Sequence, residues 1–392
     1  MKRIAVIFEG NINNRLGVFN AVLNRVQHLR RVADYDIDVH MLQVYDGAVM
    51  QRVRHSKPVP ERPETITVEG ETFQMHWFKR NWTDAIGHRL LGKRPACLSA
   101  WLDELVESMR NYDLISAHDR MGGIVAQRAS KLYGIPHYIT WHGASIYTDP
   151  PRDPMLKEVT AELLHGADDN FFVSHGLVEK AYNITTGFPA TVLFNGASGD
   201  FHRMTDEERS ALREEFGVTG RKVVAFVGRF EPVKNVTLLP EIYTQIASKY
   251  DGDVTFWTMG TGFQHEEVRQ AMAERGVDCR MWGMQPLEMM PKLMNCVDVL
   301  VLPSLLEGLP LVTLEALQCG ANVVASDVVG TAEGIGRDNA IPLGDDFVEC
   351  LTNRAVEMLQ GKVQQSLPAD ISWEATAIKE NKIYLDAMSS QA

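Results

Sequence analysis

The sequence predicts an α/β protein made of two doubly wound parallel-sheet domains with a cleft between them. Its 392 residues suffice for two domains, each with a buried core. Apolar, strand-like runs alternate with segments of helical length, which is typical of right-handed βαβ units in a parallel sheet. This alternation begins at Ile4, is interrupted after Gln51 and is clearest after Val223, so two such sheets are expected.

The first half of the chain supplies the first domain, placed at residues 1–197. Its predicted strands are Ile4–Phe8, Asp38–Val44, Asp113–His118 and Ile135–Trp141, and its first helix is Gly17–Leu29. The alternation breaks at about residues 51–95, where Thr65–Val68 and Thr72–Phe78 predict a hairpin inserted in this domain. A polar, glycine-rich stretch at residues 193–200 predicts the hinge.

The second domain is placed at residues 198–370, followed by a helical stretch at 371–392. Its predicted strands are Val223–Gly228, Val254–Gly260, Cys279–Gly283, Val297–Pro303 and Asn322–Asp327. Its predicted helices are Thr237–Tyr250, Gln264–Arg275, Leu287–Asn295 and Leu311–Cys319. Since open α/β sheets bind ligands at the carboxyl ends of their strands, we expect one site where the facing strand ends meet.

Bulk composition narrows the class of function. A net charge of −12 argues against a general nucleic-acid binder, which would carry a basic face. The five cysteines are scattered without a Cys-x-x-Cys pair, which favours reduced thiols and a cytoplasmic setting. The apolar stretch near the start ends at Glu9, too early for a signal peptide, and no apolar run is long enough for a transmembrane helix.

Two glutamates follow the apolar strand of the second domain. Glu307 and Glu315 lie on either side of Pro310, whose fixed φ suits a first helical position. The predicted helix puts Glu307 on the preceding loop and Glu315 about 7–8 Å further along the axis. Two such carboxylates can bind two hydroxyl clusters of one ligand, with an anion at the helix N-terminus between them. A ligand with sugar, diphosphate and ribose in a row fits, although Glu315 alone could equally be a solvated helix residue.

The complete string around these glutamates is more restrictive than their spacing. Pro-Ser, Glu-Gly-Leu-Pro and Glu-Ala-Leu follow one another between Pro303 and Leu317. This string resembles the donor-binding signature of retaining glycosyltransferases of the GT-B fold, in family 4. The resemblance covers nearly the whole chain and is strongest at residues 228–327. It implies that donor-binding residues include Glu307, Gly308, Leu309, Leu311 and Glu315.

The resemblance also implies a different binding function for each domain. Both would be Rossmann-like, with the N-terminal domain binding the acceptor and the C-terminal domain binding a UDP- or GDP-sugar donor. The sequence Ser372-Trp373-Glu374 is similar to the start of the family's C-terminal helix, which crosses back onto the first domain.

A second loop supplies positive charge to the same cleft. Gly228 permits close backbone approach at a strand end, and Arg229 and Lys234 follow it; alone, these cations could equally be solvated. The family carries a Gly-Arg loop with a lysine a few residues on, which implies that both cations hold the donor diphosphate. Gly262 lies in another strand-end turn of the kind that lines such a cleft. Two cations and a helix N-terminus balance the diphosphate without a metal or other cofactor.

Two histidines end strands of the first domain. His118 and His142 can donate to an acceptor hydroxyl or to a transferring sugar, although a structural role for His118 is an equally good interpretation. His142-Gly143 is similar to the family's histidine-glycine, which implies a place beside the donor sugar. The family's glycine pair after the first strand is absent. Arg15 and Gly17 stand there instead, as candidate phosphate or acceptor contacts.

The resemblance implies transfer of a sugar to an acceptor hydroxyl with retained anomeric configuration, in bacterial polysaccharide, lipopolysaccharide or glycolipid synthesis. The residues expected to act in the transfer are His142, Arg229, Lys234 and Glu307. A GT-B sugar-nucleotide epimerase and a non-catalytic sugar-nucleotide binding protein remain alternatives. Asp-x-Asp triplets precede strands here, so they are predicted turns rather than a metal motif, and no Gly-x-Gly-x-x-Gly indicates a dinucleotide oxidoreductase.

The segment from Gln51 to Pro95 has a charge pattern of its own. It holds nine Lys/Arg against five Asp/Glu, in a chain whose net charge is −12. Trp82, Ile86 and Leu90 recur at helical spacing beside these cations. Such a stretch can rest on an anionic bilayer at the inner face of the membrane and meet a lipid-linked acceptor. The alternative is a solvated insertion whose aromatic residues pack on the domain.

Overall fold

The computed structural model describes residues 1–11, 17–54, 59, 61–80 and 97–389. The chain divides into two compact units, one made of Met1–Phe194 with the segment from Trp373 onwards and one made of Asn195–Ser372. Each unit carries one α/β sheet, eight-stranded in the first and six-stranded in the second. This confirms the predicted class of two parallel-sheet α/β domains.

The sheet of the first unit has the order β3-β4-β2-β1-β5-β6-β7-β8. Its strands are β1 Lys2–Glu9, β2 Tyr35–Asp46, β3 Thr65–Val68, β4 Glu71–Arg80, β5 Leu114–His118, β6 His137–Trp141, β7 Asp169–Phe172 and β8 Ala190–Val192. Its helices up to the second unit are α1 Val18–Val32, α2 Ala48–Arg54, α3 Cys97–Ser108, α4 Asp119–Tyr133, α5 Ala144–Tyr147, α6 Pro154–Gly166 and α7 His175–Tyr182. The sequence did not predict β7 and β8, because Asp169–Phe172 begins with two polar residues and Ala190–Val192 has only three residues, so neither shows a clear apolar run.

The predicted hairpin is present and belongs to the main sheet. β3 and β4 pair antiparallel, with Glu69 and Gly70 at positive φ in the turn between them. β4 also pairs in parallel with β2, from Val39–Phe73 to Asp46–Arg80. The segment that interrupts the βαβ alternation therefore extends the sheet by two strands at one edge.

The sheet of the second unit is parallel throughout, in the order β11-β10-β9-β12-β13-β14. Its strands are β9 Lys222–Val227, β10 Val254–Met259, β11 Cys279–Gly283, β12 Val299–Leu302, β13 Asn322–Ser326 and β14 Ala340–Ile341. Its helices are α8 Asp206–Glu215, α9 Leu239–Lys249, α10 His265–Glu274, α11 Met290–Cys296, α12 Leu311–Gln318, α13 Thr331–Ile335 and α14 Phe347–Leu359. The predicted elements of this half are all found, with ends that differ by at most three residues.

Each sheet has a topological switch point, a pair of neighbouring strands from which the chain continues to opposite sides of the sheet. In the second unit β9 leads to β10 on one side, whereas its other neighbour β12 leads to β13 on the opposite side. In the first unit β1 leads to β2, and its other neighbour β5 leads to β6. The loops that leave such a pair of strands diverge, which opens a crevice at the carboxyl edge of the sheet. These two crevices are where binding residues are expected.

The last helix, α15 Trp373–Ser389, packs against α1 in the first unit. Its Tyr384 is fully buried among core residues of that sheet, and Tyr35 donates a hydrogen bond to Asn381 at 2.6 Å. Nothing in α15 or in any other described helix has both the length and the apolar character needed to cross a bilayer.

Candidate functional site

In the second unit, the crevice between β9 and β12 holds an ion pair. Lys234 follows β9 in a 3₁₀ turn, Pro232–Lys234, and Glu307 lies on the loop after β12. Lys234 Nζ lies 2.6 Å from Glu307 Oε1, and both side chains are largely buried, at 18% and 10% exposed. The two loops are also joined through their backbones, since Leu305 N–H donates to Val233 C=O at 2.8 Å. The predicted cation and the predicted anion of the site are therefore direct partners.

Arg229 has a different partner. Its Nη1 lies 2.9 Å from Glu231 Oε1, two residues further along the same loop, and its side chain is about half exposed. The sequence interpretation gave Glu231 no role, although its position beside Arg229 in Gly-Arg-Phe-Glu was the available signal. A ligand anion that binds Arg229 has to share this guanidinium with Glu231 or displace it.

The glycines beside this crevice allow loops to touch through their backbones. A Cβ on Gly262 would lie 2.4 Å from the carbonyl oxygen of Phe230, and one on Gly260 would lie 2.0 Å from that of Gly228. Phe230 N–H in turn donates to Thr261 C=O at 3.0 Å. These contacts fix the Arg229 loop against the loop after β10. In the structure, the missing side chain of Gly262 therefore allows these two loops to pack against each other.

Helix α12 begins directly after Glu307. Pro310 is its N-cap residue, with ψ 110°, so the helix starts at Leu311 rather than at the proline. The observed start at Leu311 agrees with the predicted helix Leu311–Cys319. Gly308 and Leu309 are buried, whereas Leu311 is half-buried. The first turn of α12 carries no acidic residue that would compete with a ligand anion for its N–H groups.

Glu315 lies in the middle of α12 and is partly buried. Desolvation raises the pKa of its carboxyl to about 7. A carboxylate held in this environment accepts hydrogen bonds readily, because ligand hydroxyls would replace the water that it has lost. Glu315 is therefore the residue of this site whose charge changes near neutral pH.

In the first unit, two predicted residues meet at the carboxyl ends of the neighbouring strands β5 and β6, next to the crevice between β1 and β5. His118 Nδ1 and His142 Nε2 are 2.9 Å apart, with the rings stacked at 5.2 Å between centroids. Burial is the main cause that lowers the pKa of His142 to about 3 and that of His118 well below its usual value. Both imidazoles are therefore neutral at pH 7, so one ring donates and the other accepts.

Asp119 is a residue of this crevice that the sequence interpretation missed. It has φ 54°, the left-handed region that few residues other than glycine adopt, and its carboxylate accepts from His142 N–H at 3.2 Å. Burial raises its pKa to about 6. Gly17, with φ 58°, is exposed in front of α1. Arg15 lies outside the described residues.

The two units thus hold separate groups of predicted residues. Lys234 and Glu307 meet in the second unit, and His118 and His142 meet in the first. Among the described residues, no group of three or more His, Cys, Asp or Glu side chains is arranged to hold a metal ion.

Comparison with known proteins shows which families and relatives this chain resembles. A family model described as Glycosyl transferases group 1 matches residues 221–361, which include Arg229, Lys234, Glu307 and Glu315. The D-inositol 3-phosphate glycosyltransferase of Kribbella flavida is 27% identical over 322 residues, 74% of each chain. The 2-deoxystreptamine glucosyltransferase of Streptomyces kanamyceticus is 27% identical over 273 residues, 63% of this chain and 68% of the relative.

Solved structures share the fold over the full length. Anabaena HepE, crystallised in complex with UDP, has a TM-score of 0.71 at 18% identity, with 100% of both chains covered. The sucrose-phosphate synthase of Thermosynechococcus elongatus has a TM-score of 0.71 at 17% identity, again with 100% of both chains covered. The fold and these matches define a glycosyltransferase of the GT-B class. Residues 221–361 match the group 1 glycosyltransferase model, and assignment to family 4 is consistent with that match.

Proposed function

We propose that this protein transfers a sugar from a nucleotide-diphosphate sugar to an acceptor hydroxyl with retention of anomeric configuration. The observation that supports this most directly is the Lys234–Glu307 pair, 2.6 Å apart in the crevice of the second unit. A largely buried ammonium beside the N-terminus of α12 offers positive charge where a diphosphate would lie. The carboxylate of Glu307 offers hydrogen-bond acceptors to the hydroxyls of the adjoining sugar.

The proposed chemistry is stabilisation of the leaving diphosphate. Negative charge builds on the oxygen that leaves the anomeric carbon, and Lys234, Arg229 and the N–H groups of α12 would bind it. Glu307 orients Lys234 as well as contacting the sugar. Glu315, deeper in the helix, would bind the ribose hydroxyls. No metal is required in this scheme, because protein cations and backbone dipoles supply the positive charge.

The donor in this proposal is a UDP- or GDP-sugar. HepE, which shares the fold, has been crystallised with UDP and with UDP-glucose, which makes UDP-glucose the first donor to try. His142, in the first unit, is proposed to contact the transferring sugar. Gly228, Gly262, Gly308, Leu309 and Leu311 are proposed to line the donor site.

For the acceptor we propose a glycan or lipid-linked hydroxyl, as used in bacterial polysaccharide, lipopolysaccharide or glycolipid synthesis. The named relatives act on D-inositol 3-phosphate and on 2-deoxystreptamine, so phosphorylated and aminated cyclitols belong in the acceptor panel. Arg15, Gly17 and His118 are proposed as contacts on the acceptor side of the first unit.

Two measurements test the function. Melting temperatures with a panel of UDP- and GDP-sugars identify the donor, because a ligand that binds the folded state raises the midpoint. Nucleotide release is then followed with that donor across the acceptor panel, and the anomeric configuration of the product is read by NMR. Donor binding without any transfer would favour a binding protein, and conversion of the free donor to its epimer would favour the epimerase.

Membrane contact is a separate proposal and concerns residues 51–95. Trp82, Ile86 and Leu90 lie outside the described residues. The support for membrane contact therefore comes from the sequence alone, in which Lys and Arg outnumber Asp and Glu in this segment. A cytoplasmic protein that peripherally contacts the inner face of the membrane would co-sediment with anionic vesicles and not with neutral ones. Absence of co-sedimentation with either kind of vesicle would remove this proposal.

A further inference from the structure

Three consecutive residues at the end of β5 bind the stretch of chain that leaves β6. His118 Nδ1 lies 2.9 Å from His142 Nε2. Asp119 Oδ1 accepts from the backbone N–H of His142 at 3.2 Å, and Arg120 Nη2 donates to Asp149 Oδ2 at 2.5 Å. The stretch that leaves β6 is therefore held at both of its ends, and His142 is held by its ring and by its backbone.

The held stretch, segment 142–149, is compact. Gly143 has φ 147°, and a Cβ there would lie 2.6 Å from the hydroxyl oxygen of Tyr147, so the ring of Tyr147 closes over the glycine. Tyr147 N–H donates to Gly143 C=O at 3.1 Å, and Asp149 N–H donates to Ala144 C=O at 3.0 Å. Because these local bonds make the segment a small folded unit, contacts at its two ends fix how it lies on the edge of the sheet.

The backbone of Asp119 indicates that its carboxylate is needed. With φ 54° this aspartate has a left-handed conformation, which a glycine would adopt without strain. A glycine could not accept a hydrogen bond from His142, nor from the side chain of Ser145, which also bonds to this carboxylate. The contacts that offset the strain of Asp119 therefore go to segment 142–149.

Arg120 supplies the contact at the far end of the segment. Its side chain is 14% exposed and that of Asp149 is 34% exposed, so this ion pair is more shielded than a typical surface pair. Nη1 of Arg120 is buried and has no hydrogen-bond partner among the described residues, whereas Nη2 is bound to Asp149. Removing Arg120 would therefore free the end of the segment that lies furthest from His142.

We infer that Arg120 is a positioning residue, which together with Asp119 holds segment 142–149 so that His142 keeps one position at the edge of the sheet. Arg120 acts on His142 through Asp149 and the segment between them. The consequence for catalysis rests on the proposed function, because it assumes that His142 contacts the transferring sugar. A histidine that is not held in place would orient that sugar poorly, which lowers the rate of transfer more than it lowers binding.

Hydrogen–deuterium exchange followed by mass spectrometry tests the contact directly. In Arg120→Met, peptides that cover segment 142–149 should exchange roughly tenfold faster than in wild type, because the far end of the segment opens more often. Peptides from β5 and β6 should keep their wild-type rates, whereas a general loss of stability would raise those rates as well. Asp149→Leu should have the same effect as Arg120→Met, and the double variant should add little, since both changes remove one ion pair.

Nucleotide release from UDP-glucose gives the kinetic test. In Arg120→Met, kcat should fall about tenfold while KM for UDP-glucose stays within about twofold of wild type. Arg120→Lys keeps a positive charge near Asp149 and should recover part of the loss. Arg128→Met is the matched control, because Arg128 forms an ion pair with Asp103 roughly two turns further along the same helix. It should leave kcat and the exchange of segment 142–149 unchanged.

Unchanged exchange of segment 142–149 in folded Arg120→Met would overturn the inference. Should that variant fail to fold, the double variant Arg120→Met with Asp149→Leu gives the same test, since it leaves no unpaired charge. Faster exchange with kcat at the wild-type value would also overturn the inference, because the segment would then be held without serving the transfer. Faster exchange in a protein whose wild type transfers no sugar from any donor would support the holding of His142 and overturn the proposed function instead.

Discussion

Lys234 Nζ and Glu307 Oε1 lie 2.6 Å apart although 73 positions separate the two residues in the sequence. Their contact forms because β9 and β12 are neighbours in the sheet while the chain leaves them in opposite directions. The pair is largely buried, so neither charge is well compensated by water if the other is removed. This relationship makes the two residues a functional unit in the proposed site.

We expect Lys234→Ala and Glu307→Ala each to reduce turnover by about 10²–10³-fold. The first change removes a cation that stabilises the developing negative charge, and the second removes the carboxylate that orients this cation. The double variant should lose much less than the product of the two single effects, since the residues act together. Nucleotide release from the identified donor, with circular dichroism as a check on folding, measures this.

The same two strands offer a matched control for that prediction. Lys222 Nζ lies 3.1 Å from Asp298 Oδ1 at the amino ends of β9 and β12, at the opposite edge of the sheet from the proposed site. Lys222→Ala removes a lysine–carboxylate pair of the same kind and should leave turnover within about twofold of wild type. Equal losses in Lys222→Ala and Lys234→Ala would contradict the site assignment.

Sequence reasoning anticipated the second unit well, for a physical reason. β12 is buried on both faces and reads as an uninterrupted apolar run, and Pro310 and Gly320 mark the ends of its following helix. Strong local signals of this kind do not depend on distant contacts. They locate Glu307 before the helix and Glu315 inside it, whatever the rest of the chain does.

Features that depend on tertiary contacts were not available from the sequence. The bond between His118 and His142 and the left-handed backbone of Asp119 both follow from how loops meet at a sheet edge. The parallel pairing of β4 with β2 is another example, since a hairpin pattern does not reveal which further strand it joins. The buried ion pair between Arg25 of α1 and Glu380 of α15, 355 positions apart, gave no local signal at all.

Glu315→Gln should stabilise the fold above neutral pH. Burial raises the folded-state pKa of Glu315 to about 7, above its usual value of 4.5. Between these two pKa values Glu315 keeps its proton in the folded protein and loses it in the unfolded chain. The free energy of unfolding therefore falls as pH rises through this window. At pH 8 the amide variant should gain up to about 3 kcal/mol in unfolding free energy, and at pH 4 the gain should vanish. Urea melts at both pH values measure the difference, with Glu274→Gln, the same substitution at an exposed position, as the matched control.

The affinity for the donor should increase as the pH rises through about 7, because the carboxyl group of Glu315 loses its proton in this range. The charged form of Glu315 accepts hydrogen bonds from ribose hydroxyls better than the protonated form, so binding favours the ionised state. Calorimetric titration with the identified donor at pH 6 and pH 8 should show tighter binding at pH 8 and net proton release at pH 6. The Glu315→Gln variant should bind more weakly with little pH dependence, and an unchanged pH dependence in that variant would place the titrating group elsewhere.

Gly262→Ala should destabilise the second unit by roughly 1–3 kcal/mol and weaken donor binding as well. The added Cβ would lie 2.4 Å from Phe230 O and 2.7 Å from Phe230 C, which are backbone atoms that cannot turn away as a side chain would. The Arg229 loop must then move as a whole, and the cation moves with it. Gly199→Ala is the matched control, because no atom lies within 4 Å of a Cβ at that position. Thermal melts with and without the donor should therefore show a lower midpoint and a smaller donor-induced shift for Gly262→Ala, with wild-type behaviour for Gly199→Ala.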